Sequence, residues 1–233
     1  MKGFMAQASE LSTASNSNSS DQLIRITEIF HSLQGESVTM GLPTVFIRLT
    51  GCPLRCQYCD TAYAFSGGNR LKLTDILSRT QNFNCKYVCV TGGEPLAQPN
   101  CLILLKELCD LRYYVSLETS GAISIADVDP RVIIVLDLKT PDSAECDKNL
   151  LSNIPLLKQQ DQIKFVLCSR EDYEWSCNIL KTIAAQTPAQ ILFSPSYNQL
   201  DPATLANWII EDKLSVRFQI QLHKLLWHDA PGH

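Results

Sequence analysis

The stretch Gly51-Cys52-Pro53-Leu54-Arg55-Cys56-Gln57-Tyr58-Cys59-Asp60-Thr61 constrains this chain more than any other, because it sets three cysteines at CxxxCxxC spacing just after a strand-like run, Thr44 to Leu49. The thiols then lie on one loop at that strand's C-terminal end, where three thiolates can hold one metal centre. A structural zinc site closes with four ligands, and a catalytic zinc prefers imidazole or carboxylate among its three. A four-iron cluster normally takes four thiolates, so three leave one iron open to an exogenous ligand. Two plainer readings compete: cysteine is often a small core hydrophobe, and CxxC pairs commonly mark zinc. Pro53, Arg55, Gln57 and Asp60 interrupt any apolar pattern, and no second CxxC or HxxxH follows at zinc-finger spacing, so the cluster reading leads.

Length and charge narrow the class. A chain of 233 residues can bury a full core as one domain. A net charge of -4, with 19% charged residues, gives no basic face, so no nucleic-acid partner is expected. Without a run of 18 apolar residues or the apolar core of a signal peptide, the expectation is a cytoplasmic protein with no membrane segment. Ten cysteines in a chain this long are too dilute and irregular for a disulfide scaffold. Seven of them, Cys85, Cys89, Cys101, Cys109, Cys146, Cys168 and Cys177, fall mostly in apolar segments and are assigned to packing. Residues 1–21 are rich in Ser, Asn, Thr and Ala and read as a disordered extension, since such a composition cannot offset the entropy of ordering. The folded core is expected over 22–233.

From Leu23 onward, strand and helix signals alternate. Ile24, Ile26 and Ile29 suggest an entry strand ending in a polar loop, Phe30 to Glu36. Core strands follow at Thr44–Leu49, Tyr87–Val90, Tyr113–Leu117, Val132–Leu136, Ile163–Leu167 and Ile191–Phe193, with a last one from Val216 to Leu222 that delivers His223 and Lys224. Helices are expected after Thr74 as N-cap, along Leu102, Leu105, Leu108 and Cys109, from Asp172 with Ile179, Leu180 and Ile183 inward, and after Asp201 with Pro202 at the first position. This alternation predicts a mostly parallel α/β sheet. Polar motifs recur at the strand ends, where parallel sheets and barrels bind ligands. Arg48 is costly inside a core strand unless it is paired or faces a polar site. The turn Thr91-Gly92-Gly93-Glu94 lets the backbone approach a ligand closely, with Glu94 as acceptor.

The cysteine spacing together with Gly92-Gly93-Glu94 resembles the radical S-adenosylmethionine (SAM) superfamily. The resemblance implies a [4Fe-4S] cluster on Cys52, Cys56 and Cys59, SAM chelating the open iron, and a 5'-deoxyadenosyl radical after one-electron reduction. It implies an open partial (β/α) barrel of about six mostly parallel strands. Ser32-Leu33-Gln34-Gly35-Glu36, Arg48, Cys59-Asp60-Thr61, Glu118-Thr119-Ser120-Gly121 and Gln221-Leu222-His223-Lys224 together resemble the 7-carboxy-7-deazaguanine synthase family, over about Leu23 to Lys224. That family contracts the ring of 6-carboxy-5,6,7,8-tetrahydropterin, with SAM regenerated, ammonia released and Mg2+ assisting, on the route to queuosine. By this resemblance Leu33, Gln34, Gly35, Arg48 and Thr91 line the substrate. Tyr58, Cys59, Asp60, Gly93 and Glu94 line SAM, as does the less clear segment Asp137, Leu138, Lys139. Thr61 is a magnesium ligand, plausible because Mg2+ keeps waters and takes oxygens from substrate. A flavodoxin- or ferredoxin-type electron donor and a homodimer are further implied. Trp227 to His233 extend beyond the point where family members tend to end. Two rivals are a glycyl-radical activating enzyme, which needs an open peptide groove, and a non-enzymatic zinc-binding interaction module.

Overall fold

The computed structural model describes residues 22–228 together with Ala230 and Gly232; the expected N-terminal extension, 1–21, lies outside them. The six core strands form as β2 (Pro43–Leu49), β4 (Tyr87–Gly92), β5 (Tyr114–Thr119), β6 (Ile133–Asp137), β7 (Gln162–Leu167) and β8 (Gln190–Pro195), all in parallel pairing. Their near-continuous apolar runs suit strands covered on both faces. The sheet is wider than those six. β1 (Leu23–Leu33) and β3 (Asn69–Lys72) add an antiparallel edge, and β9 (Arg217–Phe218) adds the other edge, giving nine strands in the order β3-β1-β2-β4-β5-β6-β7-β8-β9. The ends β3 and β9 do not pair, so the barrel is open.

Helices α1 (Leu73–Gln81), α2 (Cys101–Asp110), α3 (Arg170–Ile183) and α4 (Pro202–Glu211) follow β3, β4, β7 and β8, and α5 (Leu222–Trp227) follows β9. Side chains alternate across each strand. On β2, Val45, Ile47 and Leu49 are wholly buried in the core, while Phe46 and Arg48 line the central cavity. The same alternation places Ile163, Phe165 and Leu167 of β7 in the core, and Lys164 and Val166 on the cavity wall. Among the described residues no helix is long and apolar enough to cross a membrane.

Several local expectations change. The entry strand does not end at Ile29: β1 keeps its register with β2 to Leu33, where Phe30 stacks on Phe46 with ring centroids 5.0 Å apart. The polar loop therefore starts at Gln34. Helix α1 starts at Leu73 after Lys72, with no side-chain cap, so Thr74 lies inside it. Helix α3 begins earlier than Asp172: Ser169 is its N-cap and accepts from the Asp172 amide, and its wholly inward residues are Asp172, Tyr173, Ser176 and Ile183. Asp201 does cap α4, accepting from Thr204 N at 2.8 Å, with Pro202 at the first position. The last strand is only Arg217–Phe218, and His223 and Lys224 sit on α5 rather than at a strand end.

Candidate active site

The strand ends surround one cavity of about 660 Å3. The cysteine loop forms one wall. It is fixed by backbone bonds to the glycine turn: Gly93 N donates to Leu49 O at 3.1 Å and Glu94 N to Gly51 O at 2.8 Å. Both glycines are needed for this approach. A Cβ on Gly93 would stand 2.2 Å from Gly51 O and 2.9 Å from Cys52 Cβ, and one on Gly92, at φ +145, would stand 2.2 Å from Leu49 O. From outside, Gln57 N donates to Ser143 O at 3.1 Å, and Glu145 accepts from the Arg55 amide. The glycine turn thus holds the start of the loop, and the segment Ser143 to Glu145 holds it on either side of Cys56.

Cys52, Cys56 and Cys59 are half-buried free thiols on this wall. Burial pushes the Cys52 and Cys56 thiols up, with nearby anions adding to it, so neither is a ready thiolate unless a cation compensates. Metal coordination supplies that compensation by deprotonating the thiol outright. Among the described residues no three His, Cys, Asp or Glu side chains close around a single ion. The donor set, three sulfurs beside open cavity, fits a cluster with one iron left for another ligand.

At the end of β6, Asp137 Oδ2 pairs with Lys139 Nζ at 3.0 Å and lies 3.6 Å from Lys164 Nζ. Its other oxygen, Oδ1, is buried with no partner, as is the Tyr58 hydroxyl. Native buried polar atoms are rarely left unsatisfied, so these two, both in the cavity wall, fit a polar ligand such as SAM. Burial raises the Tyr58 pKa, and Asp137 adds to the shift, so its hydroxyl stays protonated and can donate. Lys139 also stacks its ammonium 5.6 Å from the Tyr58 ring. For Lys139 burial works against the charge, but Asp137 outweighs it and its pKa is raised.

The opposite wall is the loop after β1. Arg48 Nε pairs with Glu28 Oε1 at 2.7 Å, so both expectations for it hold: it has a carboxylate partner and faces the cavity. Tyr63 donates to the same Glu28 oxygen at 2.8 Å. Thr91 Oγ1 donates to Glu118 Oε2 at 3.0 Å. Glu36 accepts from Lys164 Nζ at 2.6 Å and from Gln221 Nε2 at 2.8 Å, and Gln221 Nε2 also reaches Asp60 Oδ2 at 3.1 Å. Burial favours the neutral acid of Glu36, but Lys164 and Gln221 prevail and its pKa is lowered. Helix α5 closes over this loop: Leu222 N donates to Gly35 O at 2.9 Å, and a Cβ on Gly35 would meet His223 Nδ1 at 2.1 Å. Burial pushes the His223 imidazole below its ordinary value, against the pull of Glu36 and Asp60. Thr61 opens the short turn 62–65 without capping it; its Oγ1 lies 3.7 Å from Cys59 Sγ.

Of the residues singled out in the sequence, Leu33, Gln34, Gly35, Arg48, Cys52, Cys56, Tyr58, Cys59, Asp60, Thr61, Thr91, Gly93, Asp137 and Lys139 all line the cavity. Glu94 and Leu138 do not. Glu94 is wholly buried, and its carboxylate accepts from Leu96 N, Thr119 Oγ1, Ser120 N and Ser120 Oγ, so it ties the glycine turn to the end of β5 rather than reaching a ligand. Leu138 is core, held by a bond from its amide to Lys164 O at 2.8 Å. Glu28, Glu36, Tyr63, Lys164 and Gln221 line the cavity without having been assigned to it. Lys164 carried the same signal as Arg48, a charge inside an apolar strand. Among the packing cysteines, Cys168 faces the cysteine loop instead of the core, within 3.6 Å of Gln57 Nε2. The residues after α5 reach the site as well: His228, Ala230 and Gly232 line the cavity.

The chain matches the model of the radical SAM superfamily over residues 46–154. It is 40% identical over 218 residues to the 7-carboxy-7-deazaguanine synthase of Chlorobaculum tepidum, across 92% of this chain and 99% of that protein. It is 37% identical over 219 residues to the synthase of the same name from Koribacter versatilis, across 88% and 97%. Among solved structures, QueE from Escherichia coli shares the fold with a TM-score of 0.74 at 23% identity, covering 87% of this chain and 96% of that one. Streptococcus suis SuiB bound to S-adenosylmethionine shares it more loosely, with a TM-score of 0.54 at 16% identity over 73% of this chain and 45% of that one. The chain therefore belongs to the radical SAM superfamily and, within it, to the 7-carboxy-7-deazaguanine synthase family.

Proposed function

We propose that this protein is a radical SAM lyase that contracts 6-carboxy-5,6,7,8-tetrahydropterin to 7-carboxy-7-deazaguanine with release of ammonia, in queuosine biosynthesis. The observation that carries the reading is the meeting of the three-cysteine loop with an arginine-bearing substrate wall in one cavity, in a chain 40% identical to a synthase of that name across nearly its whole length. When bound, cluster and SAM supply a 5'-deoxyadenosyl radical. The protein's part is to orient the substrate against it and exclude side reactions.

Each wall has a share in that task. Cys52, Cys56 and Cys59 hold the cluster. Tyr58, Asp60, Gly93 and the Asp137–Lys139 segment cradle SAM, with Asp137 Oδ1 and the Tyr58 hydroxyl as the free polar atoms, while Glu94 and Leu138 shape that cradle from behind. Leu33, Gln34, Gly35 and Thr91 line the pterin, and Arg48 binds its carboxylate. Thr61 offers Mg2+ a hydroxyl not engaged in capping its own turn. An external flavodoxin- or ferredoxin-type protein supplies the electron, and the working form is a cytoplasmic homodimer whose folded core begins near residue 22.

The test is incubation of anaerobically reconstituted protein with SAM, reductant and 6-carboxytetrahydropterin. The reading requires the deazapurine and ammonia, with SAM recovered. A colourless protein that binds zinc, or SAM cleavage that leaves the pterin intact, contradicts it.

A further inference from the structure

Strand β7 carries a charge between apolar neighbours. Lys164 stands between Ile163 and Phe165, both wholly buried, and is itself only 8% exposed. Its Nζ lies 2.6 Å from Glu36 Oε2 and 3.6 Å from Asp137 Oδ2. Glu36 belongs to the loop after β1 and Asp137 to the end of β6, so one ammonium spans the cavity from the substrate wall to the cofactor wall. Asp137 Oδ2 is also held by Lys139, which leaves the buried Oδ1 without a partner.

Stability does not explain such a lysine. Removing an ion from water costs several kcal/mol, and apolar residues of similar volume often serve a core as well or better. The ammonium offers three donors and accepts nothing, and here it is divided unequally between two carboxylates. A ligand that donates to Asp137 Oδ1 disperses the charge of that carboxylate and weakens the longer contact. The lysine is then released toward Glu36. Glu36 is already held at its other oxygen by Gln221, so a firmer Lys164 bond fixes its orientation beside Gln34 and Gly35.

We propose that Lys164 is a positioning residue coupling the two binding events, so that SAM at Asp137 tightens the site for the pterin at Glu36. Linkage requires the reverse as well, with the pterin tightening SAM by the same factor. This inference rests on the function proposed above.

The test uses reconstituted, unreduced protein, in which binding occurs without turnover, and equilibrium dialysis of SAM with and without saturating 6-carboxytetrahydropterin. Wild type should bind SAM at least about fivefold more tightly when the pterin is present, at the low end of usual couplings. Lys164→Met should bring that ratio close to one. Because Lys164→Met leaves Glu36 without its cation, while Asp137 keeps Lys139, the charge-balanced pair Glu36→Gln with Lys164→Met is measured beside it, and the same loss is expected. A full ratio in either variant, or no coupling in wild type, overturns the inference while leaving the function standing. Wild type that binds neither SAM nor the pterin overturns both.

Discussion

Around Cys52, Cys56 and Cys59 the cavity wall is largely backbone: the glycine turn docks on Leu49 and Gly51, and the segment Ser143 to Glu145 takes the Arg55 and Gln57 amides. Across the cavity the wall is made of charged and polar side chains, two of which reach back to carboxylates on the first wall. Arg48 meets Glu28, Lys164 meets Glu36 and Asp137, and Gln221 joins Glu36 to Asp60. The two constructions suit different ligands. A cluster and cofactor common to a whole superfamily can be held by a short contiguous motif and its glycines. A particular substrate, with its own carboxylate and ring edges, has to be recognised by side chains brought from separate strands.

Changes to the backbone-built wall should be the most severe. Cys52→Ala, Cys56→Ala and Cys59→Ala are each expected to lower SAM cleavage more than about 100-fold, beyond the range usual for losing a mere supporting contact of a metal site. Cys85→Ala and Cys168→Ala should keep it; 5'-deoxyadenosine formation and iron content check both arms. Gly93→Ala follows, because its new Cβ would run into the Gly51 backbone and the Cys52 Cβ, neither the far end of a flexible side chain. It should cost about 1–3 kcal/mol in thermal or denaturant unfolding and also reduce iron loading, although it touches no thiol. A Gly93→Ala protein with normal stability and iron would show that the loop does not depend on the turn.

Effects on the side-chain wall should be more selective. Thr61→Val keeps the shape but removes the oxygen, so activity should lose its dependence on added Mg2+ while iron content and SAM binding stay normal. Stimulation as strong as in wild type would dismiss Thr61 as a ligand. The smallest effect concerns pH. Glu36 has a lowered pKa in the folded protein, so its contribution to stability is present above the ordinary carboxylate value of 4.5 and is lost as pH falls through the folded value. Denaturant midpoints should therefore fall more steeply on acidification below about pH 4.5 in wild type than in Lys164→Met, where the partner is gone. Parallel pH profiles would remove Lys164 as the cause.

The same division decides what could be seen in the chain beforehand. The cysteine loop, the glycine turn and the apolar strands are contiguous signals, and they lead to the fold observed. Arg48 stood out because a charge in a core strand demands a partner, but its partner Glu28 lies on another strand and is not marked by any local pattern. Lys164 gives the same warning within β7, but its carboxylates, Glu36 in the loop after β1 and Asp137 on the neighbouring strand β6, are marked by no local pattern. Glu94 was assigned to a ligand by its place in the motif, whereas the fold turns its carboxylate inward to Thr119 and Ser120. The segment after Val216 alternates like a strand, yet only Arg217–Phe218 pairs with β8. Beyond it Gln219 is drawn into holding the Ser37 amide at 2.9 Å, and the chain turns into α5 over the loop after β1. Such tertiary demands leave no trace in periodicity.

If the walls are built separately in this sense, a substitution on the side-chain wall should leave SAM binding undisturbed as long as no pterin is present to couple the two, and Arg48 gives the most direct measurement. On the proposed function, Arg48→Met removes a charge-assisted contact to the substrate carboxylate worth about 1.5–3 kcal/mol, or about 10- to 150-fold in kcat/KM for the pterin. SAM affinity measured without the pterin, together with iron content, should stay at the wild-type level in the same preparation. A loss of SAM affinity or iron that matches the loss of turnover, or an unchanged kcat/KM, would contradict the account.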